Sequence, residues 1–304
     1  MLPCVLDGQL GSWTDVGNIG AGRASTVSLR YFAPAPELRR FIAAYYIFQT
    51  DQPRLADLVR ADMAQLRFMV QGAGCYGFGE DRFAGAPEIS LLGPTTAATA
   101  FDVEGPALVF GIAILPMGWG ALVREDASLF ADSVVDGAAM FGAATAETLD
   151  ALRHDPRPSR MIAAVDRLLR GLVDGSDWMP DWFALLADRW LTDAPSPSVD
   201  ALVREAGVSG RQVERLARRL YGAPPKLLAR KYRALRAASR FAATGMGWAD
   251  AAGDAFYDQS HFIREFKRFT GHTPCQFQRE PSAVTRLTLA RRHLASLPRL
   301  ALVS

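Results

Sequence analysis

The chain has 304 residues, 49% of them hydrophobic and 22% charged, enough for about two domains of ordinary soluble globular composition. Its three cysteines, Cys4, Cys75 and Cys275, lie far apart with no CxxC or His–Cys cluster, which argues against a structural zinc site and against a disulfide framework and suits a reducing cytoplasm. The net charge of +2 hides an asymmetry: residues 195–304 carry 19 Lys/Arg against 8 Asp/Glu, whereas residues 1–194 carry 15 Arg, no Lys and 24 Asp/Glu. A basic region beside an acidic one suits a polyanion partner, although charge alone is equally consistent with a solvated basic face.

Residues 1–28 are rich in Gly, Ser and Thr, show no period and no signal-peptide pattern, and read as a loose tail. From Leu29 to Leu115 short apolar runs alternate with Gly, Pro and Asp clusters. The spacing predicts strands at Ile42–Gln49, Gln65–Gln71, Cys75–Phe78, Glu88–Leu92, Ala97–Val103 and Leu108–Leu115, a small antiparallel sandwich or barrel. Gly72-Ala-Gly74-Cys-Tyr-Gly77 matches a dinucleotide-loop pattern by letters but leads into another strand, so it reads as a glycine-rich hairpin. The uncharged stretch Gly105 to Val123 raises the question of a membrane span; its two prolines and four glycines favour a buried strand running into a helix.

No histidine precedes His154, so the β region lacks a His/Glu metal cluster, and neither a metal nor a catalytic group is expected there. Its aromatics, among them Tyr45, Tyr46, Phe48, Phe68, Tyr76 and Phe101, read as plain core or as the lining of an apolar pocket. Cys75 reads as a buried apolar cysteine, and alternation turns the embedded charges Arg67 and Glu80 toward solvent.

After Pro116 the period becomes helical, with helices expected at Ala143–Arg153, Ser159–Leu172 and Trp178–Leu191. Thr192-Asp-Ala-Pro-Ser-Pro-Ser198 is a proline-rich linker and a domain boundary. Two helix pairs follow. In the first, Ser198–Ala206 is a short helix, Gly207 turns the chain, and Ser209 caps Gly210–Tyr221. Val213, Leu216, Ala217 and Leu220 form the inner face of that helix; Arg211, Gln212, Glu214, Arg215, Arg218 and Arg219 form the outer one. Arg and Gln can form paired hydrogen bonds to guanine or adenine edges, as a recognition helix requires, though an amphipathic surface helix explains the same pattern. In the second pair, Trp248–Asp254 precedes Gln259–Phe269, capped by Asp258, with Phe262, Phe266 and Phe269 buried and Gly271 at its end. Between the pairs Pro224–Ala243 reads as one basic helix of roughly 30 Å, close to a B-DNA turn.

Residues 198–280 resemble the DNA-binding domain of the AraC/XylS family of bacterial regulators. The resemblance rests on Phe256-Tyr-Asp-Gln-Ser-His-Phe-Ile-Arg-Glu-Phe-Lys-Arg-Phe-Thr-Gly-His-Thr-Pro274 and on Gly207 through Arg215 followed by Gly222-Ala-Pro-Pro225. It implies that Arg211, Gln212, Glu214 and Arg215 read one major groove and Gln259, Ser260, Ile263 and Arg264 the next. It also implies that Lys226, Arg230, Lys267 and Arg268 meet phosphates or stay as solvated charges. Ala255 stands where the family usually has glycine, and Gly253 weakens the preceding helix, so the first unit is expected to carry most of the base reading.

The family commonly joins this domain to a cupin-like barrel, which implies an α+β chain of two domains. The expected layout is a tail at 1–28, a β-rich sensor or dimerisation domain plus helices at 29–191, a linker at 192–197, a double helix-turn-helix domain at 198–282 and a basic tail of unassigned role at 283–304. Double-stranded DNA is the expected partner, and RNA polymerase, a small-molecule effector and a second copy of the chain are further partners such a regulator can have. No cofactor and no membrane contact are expected. The other readings are the same DNA-binding domain fused to an enzyme or to a purely protein-binding barrel. The repair-methyltransferase version of the first needs a four-cysteine cluster that the sequence lacks.

Overall fold

The computed structural model describes residues 27–79, 82–173, 181–194, 196–244, 258–279, 281–291 and 297–303. The first part is an antiparallel sheet of eight strands: β1 (Val27–Phe32), β2 (Ile42–Thr50), β3 (Arg54–Val59), β4 (Gln65–Phe78), β5 (Phe83–Gly85), β6 (Ile89–Leu92), β7 (Thr99–Ile114) and β8 (Val134–Asp136). The main path runs β1-β2-β7-β4-β6-β8, with β3 added to β7 and β5 to β4.

β4 and β7 pair along their whole lengths, and each serves two neighbours in turn. The second half of β7 meets β2 while its first half meets β3; the first half of β4 meets β6 while its last residues meet β5. The sequence pattern divides each of these long strands in two, but the chain runs straight through. The glycines of β4 make an irregularity rather than a hairpin, with register shifts between Met69 and Gln71 and between Gln71 and Ala73. Gly72 sits there at φ +95°, where a Cβ would lie 2.7 Å from the Glu104 carbonyl, so only glycine fits. The strands β3, β5 and β8 are too short or too polar to stand out in the sequence, whereas β1 alternates with Val27, Leu29 and Tyr31 buried, a signal that the expected strands did not include.

Alternation gives the sheet two faces, and both are covered. Tyr45, Ile47, Leu66, Phe68, Phe110 and Ile112 are at most 1% exposed and share a core with the helices. Tyr46, Phe48, Gln65, Arg67, Met69 and Val109 point the other way, into a cavity. Gly111 lies opposite Tyr46 in the register, and a Cβ on it would fall 1.9 Å from the Tyr46 ring, so the missing side chain makes room for the tyrosine. Alternation does place Arg67 opposite Leu66 and Phe68, but that face is not solvent, which corrects the expectation from sequence. Cys75 is half-buried on the cavity wall, and Glu80 lies outside the described residues.

The stretch from Gly105 resolves into the end of β7 and helix α1 (Pro116–Leu122). No described helix is long and apolar enough to cross a membrane. Helices α2 (Gly137–Phe141), α3 (Ala143–His154), α4 (Pro158–Val173) and α5 (Asp181–Asp193) follow. α4 buries Met161, Val165, Leu168 and Leu169 at helical spacing, and Tyr45 Oη donates to Asp166 Oδ1 at 2.6 Å to fasten it to β2.

The remaining helices are α6 (Val199–Ala206), α7 (Gly210–Tyr221), α8 (Pro225–Thr244), α9 (Gln259–Thr270), α10 (Pro274–Arg279), α11 (Ala283–Ala290) and α12 (Arg299–Val303). α5 runs two residues into the expected linker and ends at Asp193. The linker is pinned: Trp190 Nε1 donates to the Ser198 carbonyl at 2.7 Å, and Arg236 Nη2 to the Leu191 carbonyl at 2.8 Å. The hydrophobic core crosses this boundary, since Leu202, Val213, Leu216, Leu220, Leu228 and Tyr232 belong to the same apolar cluster as Trp119, Leu169 and Phe183. A separate small core holds Phe241, Phe262, Phe266 and Phe277.

The stretch expected as a basic tail folds back. α11 packs on β1 and β3 with Val284 and Leu287 buried, and α12 buries Leu300 and Ala301 against α5 and α8.

Candidate nucleic-acid interface

The local signals that define the two reader helices are all present. Ser198 Oγ accepts from Ala201 N–H at 3.4 Å at the start of α6, and Ser209 Oγ accepts from Gln212 N–H at 3.3 Å at the start of α7. Asp258 Oδ1 accepts from His261 N–H at 2.7 Å at the start of α9. Gly207, Gly222 and Gly271 end α6, α7 and α9 with left-handed φ of +64°, +74° and +82°. The expected helix Trp248–Asp254 and Ala255 lie outside the described residues.

α7 buries Val213, Leu216, Ala217, Leu220 and Tyr221, leaving Arg211, Gln212, Glu214 and Arg215 exposed on the opposite side. Glu214 is held by Arg218 one turn on, at 2.9 Å. α9 buries Phe262, Phe266 and Phe269 and leaves Gln259, Ser260 and Arg264 exposed. Ile263 is half-buried against the small core, so only part of it faces outward. The four readers expected of α7 therefore share one exposed face, and three of the four expected of α9 share another. α8, 20 residues long, separates the two helices.

The expected phosphate residues fall into different environments. Lys226 and Lys267 are exposed. Arg268 is exposed too, but its Nε donates to the Thr96 carbonyl at 3.3 Å. Arg230 is half-buried and doubly bonded to Glu265, at 2.7 and 2.6 Å. Burial pushes the Glu265 carboxyl up, but the Arg230 hydrogen bonds outweigh it and hold the group below the usual carboxylate range. The pair bridges α8 and α9 and fixes the second reader to the connector.

Lys226, Arg230, Arg233 and His261 line one groove between the two units. Lys226, Arg230 and Arg233 recur at i, i+4 and i+7, one face of α8, so this stripe was available from sequence spacing. His261 joins it only through the crossing of α9 over α8, which no local pattern shows.

The N-terminal domain meets both readers at their far ends. A Cβ on Gly222 would lie 2.5 Å from the Pro94 ring, and one on Gly271 would lie 2.8 Å from Leu58. Each cap glycine thus satisfies a left-handed turn and a close approach at once, while the N-terminal halves of α7 and α9, the ends that meet base edges in helix-turn-helix proteins, stay exposed. Asp126 rims a groove with Arg211, Arg215 and Arg218.

Lys231, on the inner side of α8, is buried and donates to the Asp62 and Thr95 carbonyls at 2.7 and 2.9 Å. Burial pulls its ammonium down to about 8, with Asp62 and Asp132 opposing. Tyr221 Oη donates to Asp188 Oδ1 at 2.6 Å on α5, and burial pushes that carboxyl up to about 6. These ties between the domains have no sequence signal, because each joins residues more than thirty positions apart.

A helix-turn-helix domain model matches residues 202–280, and a model of a domain of unknown function (DUF6597) matches residues 30–136. No curated protein matches the chain. Among solved structures, ToxT from Vibrio cholerae is 9% identical with a TM-score of 0.38, covering 74% of this chain and 97% of that one. A structure of unsaturated fatty acid bound ToxT is also 9% identical, with a TM-score of 0.39 and coverage of 74% and 94%. The AraC-like transcriptional activator CuxR is 14% identical with a TM-score of 0.29, covering 63% and 79%. At these TM-scores the likenesses carry no argument about site or ligand. The helix-turn-helix match over residues 202–280 takes in both capped helices, α7 and α9, so the C-terminal part of the chain is a helix-turn-helix domain.

Proposed function

We propose that the chain is a DNA-binding regulator of the AraC/XylS kind, which recognises a specific duplex with both units of one chain and acts at promoters in the cytoplasm. Arg211, Gln212, Glu214 and Arg215 read base edges in one major groove; Gln259, Ser260, Ile263 and Arg264 read the next. Lys226, Lys267 and Arg268 contact phosphates, with Arg230 and Arg233 lining the groove between. The observation that carries this reading is the pair of exposed reader faces, each on a capped helix whose apolar side is buried, on the two sides of a 20-residue connector. Phosphate contacts fix the register and base contacts choose the sequence. The N-terminal domain controls binding through an effector or through dimerisation, and the cavity on the inner face of its sheet is what supports effector control.

In vitro selection from random duplexes tests it. The expected product is two short boxes about 10 base pairs apart, centre to centre, as two readers on one face of the helix require. Recovery of a single box, or of no enriched sequence, would reject it.

A further inference from the structure

The cavity behind the sheet is built for charge as well as for apolar contact. Its volume is about 80 Å³, and it is partly open to solvent, so a ligand can extend beyond the walls. Tyr31, Tyr46, Phe48, Tyr76 and Phe101 supply aromatic walls around Arg67. The acids on that wall are already engaged: Asp102 pairs with Arg54, and Asp62 pairs with Arg291 at 3.4 Å. Among the described residues, Arg67 meets only neutral acceptors. Its Nε donates to Tyr46 Oη at 2.7 Å, its Nη1 to Tyr76 Oη at 3.2 Å and its Nη2 to Gln65 Oε1 at 2.7 Å. A guanidinium withdrawn from water without a counter-charge is costly, and an anion inside the cavity removes that cost.

One wall of the cavity does not come from the N-terminal domain. Val284, Thr288 and Arg291, all beyond the helix-turn-helix match, close it. The segment is fastened at both ends of its contact: Val284 N–H donates to Asp57 Oδ2 at 3.0 Å, and Arg291 reaches Asp62. Asp62 also accepts from Gln65 Nε2 at 3.0 Å through its carboxylate and from Lys231 through its carbonyl. A continuous polar chain therefore links Arg67, through Gln65 and Asp62, to the C-terminal segment and to the connector between the readers.

We infer that this cavity binds a small organic anion with a flat apolar body, gripped by Arg67, and that the C-terminal segment is its lid. The inference deepens the effector reading of the N-terminal domain and rests on it for its regulatory consequence, though not for binding itself. The anion sits beside the Asp62–Arg291 pair, so its arrival loads the lid and the Lys231 contact together. The message reaches the connector along hydrogen bonds that already exist.

Two probes with the same ring framework separate charge from apolarity: the anion 8-anilinonaphthalene-1-sulfonate and neutral N-phenyl-1-naphthylamine. Both are titrated by fluorescence into the full chain without DNA. The expected result is saturable binding of both, with Arg67→Gln weakening the anion about tenfold or more, the scale of one charge-assisted hydrogen bond, and leaving the neutral probe nearly unchanged. Thr288→Trp, on the half-buried face of the lid, fills the cavity and abolishes both without needing Arg67 to be altered. Hydrogen exchange of residues 283–291 slows on saturation with the anion. Equal loss of both probes in Arg67→Gln, or unchanged binding in Thr288→Trp, would overturn the site. If the anion binds as expected but leaves affinity for the selected duplex unchanged, the site stands and the effector reading falls.

Discussion

The two helix-turn-helix units are held by different forces. The first is part of the N-terminal core: Val213, Leu216 and Leu220 of α7 lie in the same apolar cluster as Trp119 of α1, and Tyr221 is bonded to α5. The second keeps its own small phenylalanine core. Phe269 meets Ala61 and its neighbours in a minor cluster, and main-chain hydrogen bonds run from Ala98 N–H to Arg268 O and from Ala61 N–H to Phe269 O. Such bonds are worth about 0.5–1.5 kcal/mol each, net of solvation, whereas burial of the α7 face is shared over many side chains. A change in the angle between the readers therefore comes most cheaply from the second unit.

The sharpest break of that comparison is Phe266→Ala. It removes the centre of the small core and is expected to cost about 3–5 kcal/mol locally. Hydrogen exchange over residues 258–279 should rise while β2 and α7 keep their protection. Loss of protection throughout the chain would mean that the two units share one cooperative core.

The next effect is on DNA. Arg215→Ala on the fixed unit is expected to cost about 1–3 kcal/mol of binding to the selected duplex, and Arg264→Ala on the second unit less. Equal losses, read by anisotropy at one salt concentration, would contradict a dominant first reader.

The attachment of the first unit can be titrated. Asp188, pushed up to about 6 from 3.8, favours the native state most when protonated; that contribution is complete below about pH 4 and is lost as pH rises through 6. Asp188→Asn, which cannot ionise, should then be more stable than the parent at pH 8 by about 1–3 kcal/mol, with the gain shrinking to nothing near pH 4. Thermal unfolding of the two proteins across that range checks the sign, and a gain that grows toward acid would refute it.

The smallest effect expected is that of Lys226→Gln. It should weaken every duplex alike and lower the salt slope by about one phosphate contact. A change in sequence preference would instead place Lys226 among the readers.

What was legible in the sequence follows from the range of the forces involved. Caps, cap glycines and the apolar stripes of α7 and α9 act over three or four residues, so Gly207, Ser209, Asp258 and Gly271 could be placed from sequence alone. The β region was legible in class but not in detail. Gly72 and Gly74 look like a turn because a bulge and a turn both ask for glycine, and only pairing with β7 distinguishes them. Arg67 was misplaced because alternation says which side of a strand a residue takes and not what lies there. The C-terminal segment was illegible for a related reason: Val284, Thr288 and Arg291 have meaning only against Asp57 and Asp62, more than two hundred residues away.

The central claim is that one chain reads two neighbouring grooves with two helices. The most direct measurement is anisotropy of the full chain on its selected duplex, on duplexes with either box scrambled, and on one with five base pairs inserted between the boxes. Scrambling either box is expected to weaken binding, the half-turn insertion to weaken it comparably by turning the boxes to opposite faces, and log K to fall with log salt at a slope near −3, for about three phosphate contacts. Binding indifferent to the insertion and to one of the boxes would show that a single helix does the reading.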